Sequence, residues 1–213
     1  MEIDYIRIYE DIIKHYPLGI SPEDPLFNQY KGSALFEELS YSKLKPRAYN
    51  KWKSLVNELK NGSSDVLESD YESPLFYPCY TGILVLHNEK NSKVVYRREL
   101  VFHLSLLSPY FTIYGLDKVN VNSGTEMMKE FEPLLYLSPI DIYEPYFKLV
   151  RTQIEKMYLD YKYISHGILT KRVNALYVPG SKIKNGQYSS VFQALFIPED
   201  VTNYKSFGDM WYE

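Results

Sequence analysis

The hydrophobic and polar positions of this chain repeat with a helical period near the N-terminus and with a strand period in the middle. The first predicted helix carries apolar residues at helical spacing: Ile6, Tyr9, Ile13 and Tyr16. Pro17 and Gly19 end it. A second helix is predicted from about Pro46 to Lys60, because proline suits a first helical turn and Asn61-Gly62 follows as a stop. A short helix is predicted before it, from Ala34 to Leu39.

A strand pattern begins near Tyr77. The segment "CYTGILVLHN" is predicted as a first strand, "NEKNSK" as a turn, and "VVYRRELVFHLSLL" as a second strand. In the second strand one face is apolar from Leu100 onward, whereas the opposite face is mixed and holds His103. This alternation predicts an antiparallel strand with one face on the core and the other face partly exposed to solvent. After Ser108-Pro109, "YFTIYGL" is predicted as a third strand.

The C-terminal third predicts a long helix and a late strand. The helix should run from Pro145 to about Ser165, with Gly167 as its stop. The segment "MMKEFEPLLYL" fits either a helix or a strand. Asn185-Gly186 predicts a hairpin turn, and "VFQALF" predicts a strand after it.

Together these elements predict an α+β fold in a single domain, residues 1–213, with a mostly antiparallel sheet packed against several helices. The helices of the N-terminal part lie within 1–62, and the sheet-rich part covers 75–213.

The composition is that of an ordinary globular chain of 213 residues, with 45% hydrophobic and 24% charged residues. The single cysteine, Cys79, cannot form an internal disulfide, which fits a reducing compartment. Acidic residues interrupt the N-terminus where a signal peptide would need an apolar core. No apolar run approaches the roughly 20 residues that span a bilayer. We therefore expect a cytoplasmic protein without membrane contact.

The net charge of −3 argues against a dedicated nucleic-acid binder, which usually carries a strong basic excess. Tyrosine is abundant, with 22 residues. Tyrosine offers a large contact area and a polar tip, so it suits protein interfaces. Ordinary half-buried packing would account for the same abundance.

Motifs for cofactor chemistry are absent from the sequence. It contains no G-x-G-x-x-G and no G-x-x-x-x-G-K-[ST], so no nucleotide cofactor is predicted. The four histidines are far apart and only one cysteine accompanies them, so no metal site is predicted. There is also no G-x-S-x-G nucleophile motif.

His103 and Ser105 are the candidates for a catalytic pair on the second predicted strand. They lie two apart on one strand, so they share a face, but their Cβ atoms should be about 7 Å apart. Glu99 is the one carboxylate predicted on that face to orient the histidine. The sequence favours a strand face packed under a helix, and it favours a packing role for Cys79.

A cluster of carboxylates in "NGSSDVLESDYESP" is the candidate partner-binding site: Asp65, Glu68, Asp70 and Glu72. The spacing is not that of an EF-hand and lacks its glycine. Such a patch speeds encounter with a basic partner, although a solvated loop would show the same composition.

Basic residues cluster near the start of the second predicted helix: Lys43, Lys45, Arg47, Lys51 and Lys53. Basic side chains interleaved with aromatic ones can bind nucleic acid. Trp52, however, lies on the apolar stripe of that helix, so we predict that it is a core residue and that the lysines form the solvent-exposed face of the helix.

The strand block "ELVFHLSLLSPYFTIYGLDKV", together with "VFQALF", resembles the bacterial immunity proteins that are encoded beside polymorphic or secreted toxins. The resemblance implies a cytoplasmic, non-enzymatic binder that neutralises a cognate toxin, and it assigns no binding residue. Two other functions stay open. One is an enzyme with a scattered site built on carboxylates or Cys79, and the other is a nucleic-acid-binding accessory protein of a mobile element.

Overall fold

The computed structural model describes residues 5–42, 44–70, 77–122, 128–181, 187–197, 201 and 204–212, with 122 and 128–130 described by their backbone alone. The helices within these ranges are α1 Tyr5–His15, α2 Pro25–Gln29, α3 Lys31–Ser42, α4 Pro46–Asn61, α5 Glu144–Met157, α6 His166–Leu169 and α7 Val191–Leu195. The strands are β1 Glu68–Asp70, β2 Cys79–Lys90, β3 Val94–Ser105, β4 Tyr110–Asn122, β5 Met128–Glu130, β6 Leu134–Tyr136, β7 Lys162–Tyr163 and β8 Lys205–Phe207. A 3₁₀ turn, Asp141–Tyr143, leads into α5.

The eight strands form one sheet, in which β1, β2, β3, β4, β6 and β8 follow one another from edge to edge. β5 and β7 also pair with β4. All pairs are antiparallel except β4 with β7 and β6 with β8. The predicted α+β fold with a mostly antiparallel sheet is therefore confirmed.

Helices cover both faces of this sheet. On one face, Trp52 of α4 and Ile154 of α5 join Phe102 of β3 in one hydrophobic cluster. On the other face, Ile12 of α1 and Phe192 of α7 belong to a second cluster. The sheet thus lies between two layers of helices, and its central strands form the middle of the core.

The prediction of a partly solvent-exposed face on β3 holds for the first half of the strand, where Val95 and Arg97 are partly exposed, but not for the second half. Val101, His103 and Ser105 point to the side of α1, α6 and α7, and all three are buried. In that second half, the mixed composition reflects polar residues inside the core rather than solvent, because hydrogen bonds within the core satisfy several of these polar groups.

Glycines in β2 and β4 make room for aromatic rings on the α4 and α5 side. Gly82 lies opposite Phe102 in the β2–β3 register. A Cβ on Gly82 would stand 2.3 Å from the Phe102 ring, and one on Gly115 would stand 2.6 Å from the Tyr143 ring. Each ring therefore packs directly on the backbone of its glycine, and any larger residue at that position would clash with the ring.

The predicted second helix is confirmed as α4, and the predicted short helix is confirmed and longer, as α3. Trp52 is fully buried and stacks on Tyr80 with 5.1 Å between the ring centroids, so the prediction of a core residue is also confirmed. The ambiguous segment "MMKEFEPLLYL" supplies β5 and β6.

The long C-terminal helix ends earlier than predicted. α5 stops at Met157, and the chain turns to form β7, which runs parallel to the start of β4. Ile164 then donates its backbone N–H to the carbonyl of Phe111, 2.9 Å away. The apolar residues after Met157 also fit a helical period. They are extended in the structure because the backbone of this segment pairs with β4 instead.

The predicted late strand "VFQALF" is wrong, because its first five residues form helix α7. Ser190 caps this helix: its hydroxyl accepts from the N–H of Gln193, while the Gln193 side chain accepts from the N–H of Ser190. This capping box fixes the helix start. The predicted turn at Asn185-Gly186 lies outside the described residues.

No helix in the described part of the chain is long and apolar enough to cross a membrane.

Candidate functional site

The acidic segment after α4 lies at an edge of the sheet. Glu68 and Asp70 belong to β1, which pairs with β2 and stands at one end of the sheet among the described strands. Part of the predicted loop is therefore a strand. Asp65 lies just before it, and the side chains of all three acids are exposed. Glu72 lies outside the described residues. We call Asp65, Glu68 and Asp70 the acidic edge.

Apolar contacts hold this segment in place. Val66 is buried in the cluster that α4 and α5 form with the sheet. The N–H of Leu67 donates to the carbonyl of Val85, 2.9 Å away. The side chain of Leu67 is 53% exposed between the acids. The acidic edge is thus a fixed part of the fold, with an apolar side chain among its carboxylates.

Asp65 is also tied to α5. The Tyr146 hydroxyl lies 3.4 Å from the Asp65 carboxylate, and the Ser64 hydroxyl donates to it at 3.2 Å. Burial and the nearby Asp65 charge raise the pKa of Tyr146. Asp65 is therefore partly engaged by the protein itself, and it remains exposed like Glu68 and Asp70.

The acidic edge suits a basic partner in two ways. Its carboxylates attract cationic side chains, and complementary charge speeds encounter. An end strand also offers backbone hydrogen-bonding groups on its outer side to an added strand. A partner segment that is extended and basic would match both features.

The second candidate, His103, lies in the core. Its Nδ1 is 2.9 Å from the Thr81 hydroxyl and its Nε2 is 2.9 Å from the Tyr114 hydroxyl. Both ring nitrogens are thus engaged, and the residue is 1% exposed. Ser105 is buried too, and its hydroxyl accepts from the N–H of Leu107 at 3.2 Å. The structure does not bring the two side chains together as a nucleophile and its base.

The structure instead links His103 to Cys79 through Thr81, a connection that the sequence did not reveal. Cys79 pairs with Ser105 and Thr81 pairs with His103 across β2 and β3, so these side chains share one face. The Cys79 Sγ lies 3.6 Å from the Thr81 hydroxyl and donates to the Phe196 carbonyl at 3.2 Å. All of this lies beneath α7, where Cys79 is fully buried.

The two core histidines are uncharged at neutral pH. Burial, with His166 nearby, lowers the pKa of His103 to about 3. Burial also lowers the pKa of His166 to about 4. The His166 ring meets Tyr114 edge-on, with 5.6 Å between the ring centroids. These groups behave as packed neutral rings at neutral pH.

Glu99 does not orient His103. Its carboxylate pairs with Arg97 at 2.5 Å and with Lys118 at 2.7 Å. The two cationic side chains keep about a third of their surface exposed, whereas that of Glu99 is 3% exposed. This triad stabilises a buried carboxylate on the central strands.

A second buried carboxylate, Asp117, lies at the centre of a polar cluster that sequence reasoning missed. It accepts from Arg98 Nε at 3.0 Å, from Tyr143 at 2.5 Å and from Tyr96 at 3.0 Å. Burial and this hydrogen bond raise the pKa of Tyr96 to about 12 and raise that of Tyr143 further. The signal was present as Tyr96 and Arg98 on an otherwise apolar face, but only the strand register places Asp117 opposite Arg98.

The basic cluster stays on the outside of α4, as predicted. Lys45, Arg47, Lys51 and Lys53 are exposed, while Lys43 lies outside the described residues. The Lys51 ammonium sits 4.0 Å from the centroid of the Tyr158 ring. One of these cations is therefore already in contact with an aromatic ring of the protein.

Tyrosines do not single out one surface. Seven of those in the described ranges are buried: Tyr16, Tyr80, Tyr110, Tyr114, Tyr143, Tyr146 and Tyr163. Ordinary packing therefore accounts for much of the tyrosine content.

Within the ranges that the structure describes, no group of three or more His, Cys, Asp or Glu side chains is arranged to hold a metal ion. No protein-family model matches the chain, and neither a curated protein nor a solved structure matches it.

Proposed function

We propose that this chain is a non-enzymatic protein-binding module, and specifically an immunity protein that binds and neutralises a cognate bacterial toxin. One observation carries the binding part of the proposal: exposed carboxylates lie on and beside an end strand of the sheet. A cytoplasmic location, where an immunity protein meets an incoming or newly made toxin, is part of the same proposal.

The proposed contact is a basic, extended segment of the toxin that pairs with β1. Backbone hydrogen bonds along the strand would supply affinity, and cationic side chains facing Glu68 and Asp70 would supply specificity. Leu67 would add apolar contact, because it is exposed beside the acids. Binding of this kind would cover the basic segment and keep it from its own target.

The toxin part of the proposal rests on the resemblance of the strand block to immunity proteins. That block forms the second half of β3 and most of β4, in the middle of the sheet. The late segment "VFQALF", which belonged to the same resemblance, is mainly helical. The toxin part of the proposal therefore rests on the strand block, and the partner surface is inferred from the acidic edge alone.

The first experiment is affinity capture with the tagged full chain from a lysate of its native cells, with captured proteins identified by mass spectrometry. The captured protein is then expressed alone and together with this chain. We expect it to stop growth when alone and to be tolerated when both are present. A stoichiometric partner that does not harm cells would contradict the immunity function, although it would leave a binding module.

A charge-reversed variant tests the acidic edge with the same partner. Glu68→Lys combined with Asp70→Lys should weaken binding about tenfold at low salt and less at high salt, because salt screens exposed charges. Glu132→Lys, also exposed, is the matched control and should leave the affinity unchanged. Equal affinity of the double variant and the wild type would remove the acidic edge from the proposal.

A further inference from the structure

A cleft on the opposite side of the sheet from α4 and α5 is lined by helices and aromatic rings. It lies where α1, α2 and α3 meet the segments Tyr77–Pro78 and Val178–Gly180, and its volume is about 420 Å³. Cavities of roughly 300–1,000 Å³ are the size that takes small molecules. None of the acidic edge residues lines it.

Aromatic side chains make up much of the wall: Tyr16, Phe27, Phe36 and Tyr77. The rings of Tyr16 and Phe36 stand 5.4 Å apart between centroids and are inclined at 56°. Two rings at this angle form adjoining walls rather than one flat surface. Phe36 and Tyr77 are only partly buried, so their rings are within reach of a ligand.

The charges around the cleft favour a cation. Glu37 is exposed and lines it, and none of the described residues that line it is a lysine or arginine. His15 also lines it, and burial followed by the nearby Lys14 charge lowers the pKa of His15, which leaves the ring neutral at neutral pH. Arg172 contacts Gln193 of the wall at 3.2 Å but does not itself line the cleft.

We propose that this cleft binds a small organic cation, an alkyl- or arylalkyl-ammonium compound, between the rings of Phe36 and Tyr77 and the carboxylate of Glu37. Aromatic faces attract ammonium groups through the negative potential of their π-systems. A carboxylate at the same opening adds charge attraction and disfavours anions. The apolar remainder of the wall, which includes Phe27, would hold the hydrocarbon part of the ligand.

The probe is benzyltrimethylammonium, titrated into the ¹⁵N-labelled full chain and followed by amide chemical shifts. Phenylacetate and benzyl alcohol are the anionic and neutral comparisons with the same ring. We expect shifts that map to the α1–α3 cleft, and an affinity for the cation at least about tenfold above that for phenylacetate.

Two variants test the assigned groups, and a neighbouring residue gives the control. Phe36→Leu keeps apolar volume and removes the ring, so it should weaken cation binding about two- to fivefold. Glu37→Gln should weaken it by a similar factor of about two to five at low salt. Glu38→Gln lies next to it on α3 and outside the cleft, and should leave the affinity unchanged.

Three results would overturn the proposal. One is the absence of any chemical-shift change with the cation at concentrations up to about 10 mM, since a Kd in the millimolar range would already produce one. The second is equal binding of benzyltrimethylammonium and phenylacetate. The third is equal loss of affinity in the Glu37 and Glu38 variants, since it would show that Glu37 has no local role. None of these results bears on the acidic edge.

Discussion

The hydroxyl of Tyr143 donates a 2.5 Å hydrogen bond to the carboxylate of Asp117. The Tyr143 ring also covers Gly115, two residues earlier on β4. One tyrosine at the start of α5 thus fixes both the backbone of β4 and its buried carboxylate. Arg98, opposite Asp117 in the register, completes the neutralisation of that charge at 3.0 Å.

Tyr143→Phe should lower the free energy of unfolding by about 2 kcal/mol. The ring keeps its place over Gly115, but a buried carboxylate loses a hydrogen bond, and such charge-assisted bonds contribute about 1.5–3 kcal/mol. Asp117→Asn should cost more, about 3 kcal/mol or above, because it leaves the largely buried Arg98 without its counter-charge. Urea unfolding followed by circular dichroism measures both.

Asp160→Asn is the control for these two variants, since Asp160 is exposed in the turn after α5. Its free energy of unfolding should stay within about 0.5 kcal/mol of the wild-type value. Equal stability of Asp117→Asn and the wild type would show that the Asp117 cluster is not a structural anchor.

Gly82→Ala should destabilise the fold by about 2 kcal/mol, because the new Cβ would meet the Phe102 ring at 2.3 Å and the core is already filled. The loss depends on that ring, so it should shrink in a Phe102→Leu background. A double-mutant cycle of thermal or urea unfolding measures the coupling between the two positions.

A cost of Gly82→Ala that is the same with and without the Phe102 ring would contradict this explanation. It would place the cost in the backbone of β2 rather than in the packing of the ring. Phe102→Leu alone is the reference, and we expect it to lose about 1–2 kcal/mol of its own.

The sequence predicts the central strands and α4 well, because their signals are local. β3 alternates over a dozen residues, and α4 has proline in its first turn and an Asn-Gly stop. The ends of elements depend instead on tertiary partners. α5 stops at Met157 because the following residues pair with β4, and no residue near Met157 in the sequence indicates that pairing.

The segment "VFQALF" shows why short apolar runs mislead. Gln193 is its single polar residue, so period 2 and period 3.6 both fit it. The deciding signal is the Ser190 and Gln193 spacing of a capping box, which reads as a helix start. A buried helix of five residues carries too little periodicity to outweigh a strand pattern.

Ser190→Ala should lower the free energy of unfolding by about 1–2 kcal/mol, because α7 loses the hydroxyl that accepts from the Gln193 N–H. Ser190 is fully buried, so water cannot replace the bond. Ser54→Ala, on the exposed side of α4, is the control and should change stability by no more than about 0.5 kcal/mol. Equal unfolding curves for all three proteins would contradict a role for the cap.

The candidate site, too, could be predicted only where its residues are close together in the sequence. The acidic edge could be predicted because Asp65, Glu68 and Asp70 are close in sequence and charge is a local property. Asp117 with Arg98, and Cys79 with His103, are brought together by strand register alone. Polar residues on a predicted apolar face, such as Arg98, are the one sign in the sequence that such buried clusters exist.

The two core histidines should make the fold lose stability below neutral pH. In the folded state the pKa of His103 is about 3 and that of His166 about 4, below their ordinary value of 6.5. The unfolded chain therefore binds more protons as the pH falls from about 6.5 toward 4, and stability decreases with it. Between pH 7 and pH 5 each histidine should cost about 2 kcal/mol.

Urea unfolding at pH 7 and at pH 5 measures this loss, and substitutions assign it. Gln at position 103 can still meet Thr81 and Tyr114 but does not titrate, so His103→Gln should remove about half of the loss that His103 and His166 cause together. His87→Gln is the control, because the His87 side chain is 43% exposed beside Glu89. If His103→Gln and His87→Gln show the same pH dependence as the wild type, carboxylates rather than His103 govern acid unfolding. His103 would then have to accept a proton without opening the fold, which its burial on the α1, α6 and α7 side argues against.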